Sequence, residues 1–135
     1  MRDTCPFPAS SVAAFEHPAS AIDAFLPLKP VDLELLLALA TEERHGYGLV
    51  QQIAEHTRGL IVLDPGDLYR VIKRLLADGL VGEVPARSAA NDGGERRRDY
   101  CLTPLGGRVL AAELERLKTL LNAPATRERA RRWSS

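Results

Sequence analysis

Leu63–Val81 reads LDPGDLYRVIKRLLADGLV, and its reading decides the fold. Asp64 is a strong helix N-cap, Pro65 suits the first helical position, and Asp67, three residues beyond the cap, complements the helix dipole. Leu68, Val71, Ile72, Leu75 and Leu76 recur at spacings of three and four, the signature of one apolar helical face, and Gly79 stops the helix. The opposite face gathers Gly66, Tyr69, Arg70, Lys73, Arg74 and Ala77. Exposed Lys and Arg are common on amphipathic helices, so cations alone decide nothing. Two details point further. Gly66 weakens the first turn, a residue type that costs up to about 1 kcal/mol in a helix interior, yet a turn without a side chain admits a close backbone such as a phosphate strand. In addition, no acid stands four residues beyond Arg70 or Lys73 to neutralise them.

The segments downstream complete the pattern. Leu80–Val84 alternates weakly as a strand would, Pro85–Gly94 (PARSAANDGG) is turn-rich, and Arg98–Leu102 reads as a returning strand. Glu95, Arg96, Arg97 and Arg98 stand at the base of that loop. Upstream, Pro30 to Glu42 predicts a helix apolar on two sides, with Leu33, Leu36, Leu37 and Ala40 on one and Val31, Leu35 and Leu39 on the other. RHGYGLVQQIAEHTRG follows as a second helix, begun at Gly46 and Gly48 and ended at Gly59. Three helices and then a hairpin with a basic, glycine-containing tip predict a mainly α chain with a small β-hairpin, arranged as a winged helix-turn-helix over 29–102. In that layout the third helix meets the major groove, and the wing meets the backbone or the minor groove.

Thr103-Pro104 pairs a cap with a first-turn proline and opens another helix, over 103–123. Leu110, Leu114, Leu117 and Leu121 step by four, three and four along it, a narrow seam that predicts pairing with a symmetry mate, joined by Leu35 and Leu39 of the doubly apolar helix. Residues 124–135 read as a frayed basic tail with Trp133 exposed. Residues 1–28 read as an extension outside the main fold, in which PASSVAAF (Pro8–Phe15) is echoed by PASAIDAF (Pro18–Phe25). Its Val12, Phe15, Ile22 and Phe25 could anchor it, on a partner subunit or as a loosely ordered arm.

Composition narrows the function. At 135 residues, 45% apolar and 27% charged, this reads as one small globular domain. The net charge of zero hides an asymmetry: residues 1–45 hold 3 basic and 7 acidic side chains, residues 108–135 hold 7 and 3. Any polyanion contact must therefore come from local patches. The longest apolar run, Leu35–Ala40, is too short for a membrane span, and the N-terminus lacks signal-peptide character. Two cysteines without a pairing motif, Cys5 and Cys101, fit a reducing, cytoplasmic setting, with Cys101 as a small core residue. His17, His45 and His56 fall on different elements and no nucleophile, acid and base recur together, so neither an enzyme nor a cofactor or metal site is expected. His45 is expected to cap or pack the turn before Gly46.

HGYGLVQQI (His45–Ile53), LDPGDLYRVIKRLLADGLV (Leu63–Val81) and ERRRDYCLTPLGGRVLAAE (Glu95–Glu113) together resemble the PadR family of bacterial transcriptional regulators, in its short form with a single C-terminal helix. The likeness runs from about Leu33 to Leu121. It implies a homodimeric repressor on an inverted-repeat operator in double-stranded DNA, relieved by a small-molecule effector. It also implies DNA contacts at Pro65, Gly66, Tyr69, Arg70, Lys73 and Arg74, wing contacts at Arg96 and Arg97, and a backbone contact at Tyr47. An effector crevice is expected between the terminal helices and the Pro30 helix. Asp99 near the wing, Cys101 in its strand and the first 28 residues depart from the family pattern. Two alternatives stay open: a winged-helix module that binds proteins, and a MarR-like regulator.

Overall fold

The computed structural model describes residues 19–41, 44–85 and 98–134. In chain order the elements are α1 (Ala19–Asp23), α2 (Pro30–Thr41), β1 (Arg44–His45), α3 (Gly46–His56), α4 (Pro65–Ala77), β2 (Val81–Pro85), β3 (Arg98–Leu102), α5 (Pro104–Asn122) and α6 (Pro124–Trp133). The punctuation read from the sequence is made physically. Asp64 is extended and its Oδ1 accepts from the Asp67 N–H at 2.8 Å, and Thr103 Oγ1 accepts from the Gly106 N–H at 2.9 Å. Gly79 ends α4 at φ 80, and Arg58 and Gly59 turn the chain after α3 at φ 55 and 81.

The sheet has three strands, in the order β1-β3-β2 and antiparallel throughout. Val81 pairs with Leu102 and Pro85 with Arg98, so β2 and β3 form the predicted hairpin. β1 is a strand that the sequence did not announce. Arg44 and His45 pair with Tyr100 and Asp99, so the backbone before Gly46 enters a ladder. Two residues carry no alternation to read, and only the edge offered by β3 makes them a strand.

The core lies where α2, α3, α4 and α5 meet the sheet, with Leu35, Leu36, Leu49, Ile53, Ile72, Leu75, Leu80 and Val109 all fully buried. α2 packs on α3, α5 and β3, so both of its apolar sides meet the chain's own elements, with Leu35, Leu36 and Leu39 buried. The assignment of Leu35, Leu39 and Leu110 to a dimer face is therefore corrected. Their exposures are 0%, 4% and 6%, and each is spent on the chain's own core. Part of the supposed extension is also integral. Ile22 is buried, Phe25, Leu26 and Leu28 pack on the core, and α1 packs on α5. Val12, Phe15 and the first copy of the duplication lie outside the described residues.

Two further readings change. The supposed frayed tail is the helix α6, none of whose residues is buried; Glu128 pairs with both Arg131 and Arg132, and Trp133 is 88% exposed. Cys101 is in the core as expected, but it is disulfide-bonded, which the reducing-compartment reading does not anticipate. The other cysteine of the sequence, Cys5, lies outside the described residues. Among the described residues no helix is long and apolar enough to cross a membrane, and no cluster of metal-ligating side chains occurs.

Candidate nucleic-acid interface

α4 turns Leu68, Ile72 and Leu75 into the core and leaves Pro65, Gly66, Asp67, Tyr69, Arg70, Lys73 and Arg74 on the outside. α3 packs on α4, and Gly46, at its first turn, faces Leu68, so Tyr47 opens α3 at that contact with 67% of its surface exposed. Tyr69 is 58% exposed, and the Lys73 ammonium stands 5.7 Å from its ring centroid, a one-turn cation–π stack that holds the lysine along the helix. Gly66 meets only a mild limit from inside. A Cβ there would approach Asp64 Oδ1 at 3.5 Å, ordinary contact, so nothing in the fold demands glycine at this position.

The three cations of this face are held differently. Lys73 has no carboxylate partner among the described residues. Arg70 does have an acidic neighbour, but on the N-terminal side: Asp67, three residues earlier, with both side chains largely exposed. Such pairs contribute about 0–1 kcal/mol, so a phosphate can displace the carboxylate readily. Arg74 is different. Nη2 donates to Asp32 Oδ1 at 2.8 Å and Nη1 to Asp32 Oδ2 at 3.1 Å, a bidentate bridge from α4 to the third residue of α2. The Asp32 side chain is 6% exposed. The hydrogen bonds that Arg74 donates to Asp32 raise its pKa above its already high value, against the opposing pull of burial, and the charges of Asp32 and Asp78 add to this. Reading Arg74 simply as a groove-facing cation therefore omits its partner. The sequence signal was available: an acid in the first turn of a helix apolar on two sides.

Two other polar links went unread. His56 Nδ1 lies 2.6 Å from Glu34 Oε1, tying α3 to α2. Glu113, 1% exposed on α5, takes two hydrogen bonds from Arg116 and one from the Leu28 N–H just before α2. The Arg116 bonds first, helped by Leu28, hold the Glu113 carboxyl below the usual range despite burial.

The remaining expected residues divide clearly. Arg96 and Arg97 lie outside the described residues; β2 and β3, which lead to them, are described, and β2 packs against α4. On α5, Leu114, Leu120 and Leu121 are exposed by 42%, 48% and 64%, and Leu117 is half-buried. A cleft of about 210 Å³ between α2 and α3 is lined by Glu34, Leu37, Thr41, Gln52 and His56. It is smaller than the ~300–1,000 Å³ of usual ligand pockets and is not the crevice expected beside the terminal helices.

A helix-turn-helix with a capped, outward-facing third helix, backed by a three-stranded sheet whose hairpin forms a wing, defines a winged-helix protein. The chain belongs to the transcriptional regulator PadR-like family, whose model matches residues 35–112. The family consists of transcription regulators and not enzymes. A curated relative from Streptomyces fradiae, an uncharacterized 37.1 kDa protein in transposon TN4556, is 33% identical over 89 residues, 64% of this chain. The chain spans 22% of the length of that relative.

Solved structures share the fold. A transcriptional regulator from Clostridium thermocellum matches with TM-score 0.57 at 20% identity, over 88% of this chain and 99% of that one. A PadR family regulator from Clostridium difficile matches with TM-score 0.58 at 24% identity, over 70% and 96%. PadR of Bacillus subtilis, solved in complex with operator DNA, matches with TM-score 0.56 at 19% identity, over 64% of this chain and 48% of that one.

Proposed function

We propose that this chain is a sequence-specific regulator that binds double-stranded DNA as a homodimer at an inverted repeat, and that it acts as a repressor relieved by a small molecule. The observation that carries the DNA reading is the outer face of α4. It joins a side-chain-free first turn at Gly66 to an exposed Tyr69 and to two cations, Arg70 and Lys73, neither of them held by a buried acid. Glycine at that position has no internal cause, whereas close approach of a DNA strand supplies one. In this reading Tyr47, Pro65 and Gly66 add contacts to the DNA backbone, and Arg96 and Arg97 serve as the wing contacts. Dimerisation is supported by Leu114, Leu117 and Leu121, which stay open or half-open in one chain and step along one side of α5. Likeness to the family supports the repressor and effector roles, and a DNA partner makes the cytoplasm the site of action.

The test is a salt titration on a duplex that the full chain selects from a random-sequence pool. Each neutralised phosphate contributes about −0.9 to the slope of log affinity against log salt, so a steep negative slope is expected. A flat response would refute the DNA reading in favour of a module that grips an apolar protein surface.

A further inference from the structure

We propose that Arg74 is a positioning residue for DNA recognition and not a DNA contact: its bridge to Asp32 sets the rotation of α4 on α2, and with it the aim of Tyr69, Arg70 and Lys73. The inference rests on the DNA reading above. Leu68, Ile72 and Leu75 bury α4 strongly, but apolar contacts have little directionality, and a helix seated on them can roll. A planar guanidinium held by both oxygens of one carboxylate resists rolling, because both hydrogen bonds must keep their geometry. Asp32 is itself buried, on a helix that packs against α3, α5 and β3. Rolling a helix by about 10° moves a tip at its ~5–6 Å outer radius by about 1 Å, enough to lose a base-edge hydrogen bond.

Charge argues in the same direction. The Asp32 carboxylate sits on the Arg74 guanidinium with both oxygens, and the charge of Asp78 adds to it, which disfavours a phosphate at that spot. Arg74 cannot leave for DNA without abandoning a buried carboxylate, a cost that the exposed Arg70–Asp67 pair does not impose. The fold thus separates neighbouring cations into two kinds: Arg70 and Lys73 for the groove, Arg74 for the frame.

The experiment measures affinity of the full chain for the selected duplex and for a scrambled one across a range of salt. Variants are Asp32→Asn, Arg74→Ala, Arg74→Lys and the Asp32→Asn/Arg74→Ala pair, with Lys73→Ala as reference. Asp32→Asn is decisive by its sign. It removes a negative charge near DNA and releases Arg74, so it should tighten binding if Arg74 touches phosphate. Under the proposal it weakens binding to the selected duplex by about 10-fold or more and spares the scrambled one, a loss of about 1.4 kcal/mol in specificity. Arg74→Ala should lose as much, the double variant no more than the worse single one, and Arg74→Lys should fail to rescue. The salt slope should be unchanged by Arg74→Ala but shallower by about 1 for Lys73→Ala.

Tighter or unchanged binding by Asp32→Asn overturns the proposal, and so does a selected-to-scrambled ratio that stays constant while the melting temperature falls. Should Arg74→Ala fail to fold, Asp32→Asn alone still decides. A salt-independent wild type would instead remove the DNA reading itself, a separate and distinguishable failure.

Discussion

Gly106 and Gly107 are neighbours in the first turn of α5, and the same substitution in each should change stability in opposite directions. A Cβ on Gly107 would meet Leu102 Cδ2 at 3.8 Å, ordinary contact. Alanine there gains the helix and unfolded-state advantage of about 0.4–1 kcal/mol. A Cβ on Gly106 would overlap the Leu80 carbonyl oxygen and lie 2.9 Å from the Leu80 carbonyl carbon and 3.0 Å from Leu102 Cδ1. The first two obstacles are backbone and cannot rotate away. Relief requires α5 to move off the Leu80 peptide by more than about 1 Å. That movement stretches the Thr103 N–H bond to Leu80 O (3.2 Å) and the Thr103 Oγ1 bond to Gly79 O (2.6 Å). Overpacking costs about 1–3 kcal/mol and each weakened buried hydrogen bond about 1 kcal/mol. After the helix gain is subtracted, Gly106→Ala should destabilise by about 2–4 kcal/mol. At roughly 3–5 °C per kcal/mol for a chain of this size, Tm should fall by about 6–20 °C, while Gly107→Ala raises it by about 2–4 °C. Thermal and urea unfolding followed by circular dichroism measure both. Gly106→Ala at or above wild-type stability would refute the close approach of α5 to the β2 lead-in.

Thr103→Ala should cost about 1–2 kcal/mol in urea unfolding through loss of the α5 cap, and Thr103→Ser should recover most of it. Arg70→Ala and Lys73→Ala should each weaken the selected duplex by about 1–3 kcal/mol where a base edge is touched and less where only phosphate is; wild-type affinity in both, by fluorescence anisotropy, would remove α4 from the interface. Leu114→Glu with Leu117→Glu should yield a monomer in sedimentation and lose tight DNA binding, and a monomer with full affinity would break that coupling. Glu113 has a folded pKa below its ordinary value of 4.5. The unfolded chain therefore binds its proton first as pH falls, and stability from this group is complete above that value and drains away below it. Glu113→Gln should show a weaker loss of stability than wild type over that acid interval, as read from urea midpoints against pH.

Local chemistry accounts for what could be read in advance. The caps at Asp64 and Thr103, the prolines after them, the stop at Gly79 and the 3.6-residue apolar period of α4 concern residues within a few positions of each other. The hairpin was legible because β2 and β3 are close in sequence and separated by turn formers. Failures came where the partner is far along the chain. Leu110 begins the leucine seam of α5 and Leu35 and Leu39 were read with it, but no pattern states which surface a leucine meets; these three meet the chain's own core. α6 was read as frayed because it is a basic terminus, yet Pro124 at its first turn and the Glu128 pairs with Arg131 and Arg132 support a helix.

The helix α4 and its outward residues were thus determined by sequence alone, since a buried stripe on a helix dictates what lies opposite it. Which of its cations are available was decided only in three dimensions. Arg70 and Arg74 are indistinguishable as letters, but one pairs with an exposed acid three residues away and the other with a buried acid 42 residues away. Electrostatic partnership depends on distance and on exclusion of water, and both are properties of the folded chain.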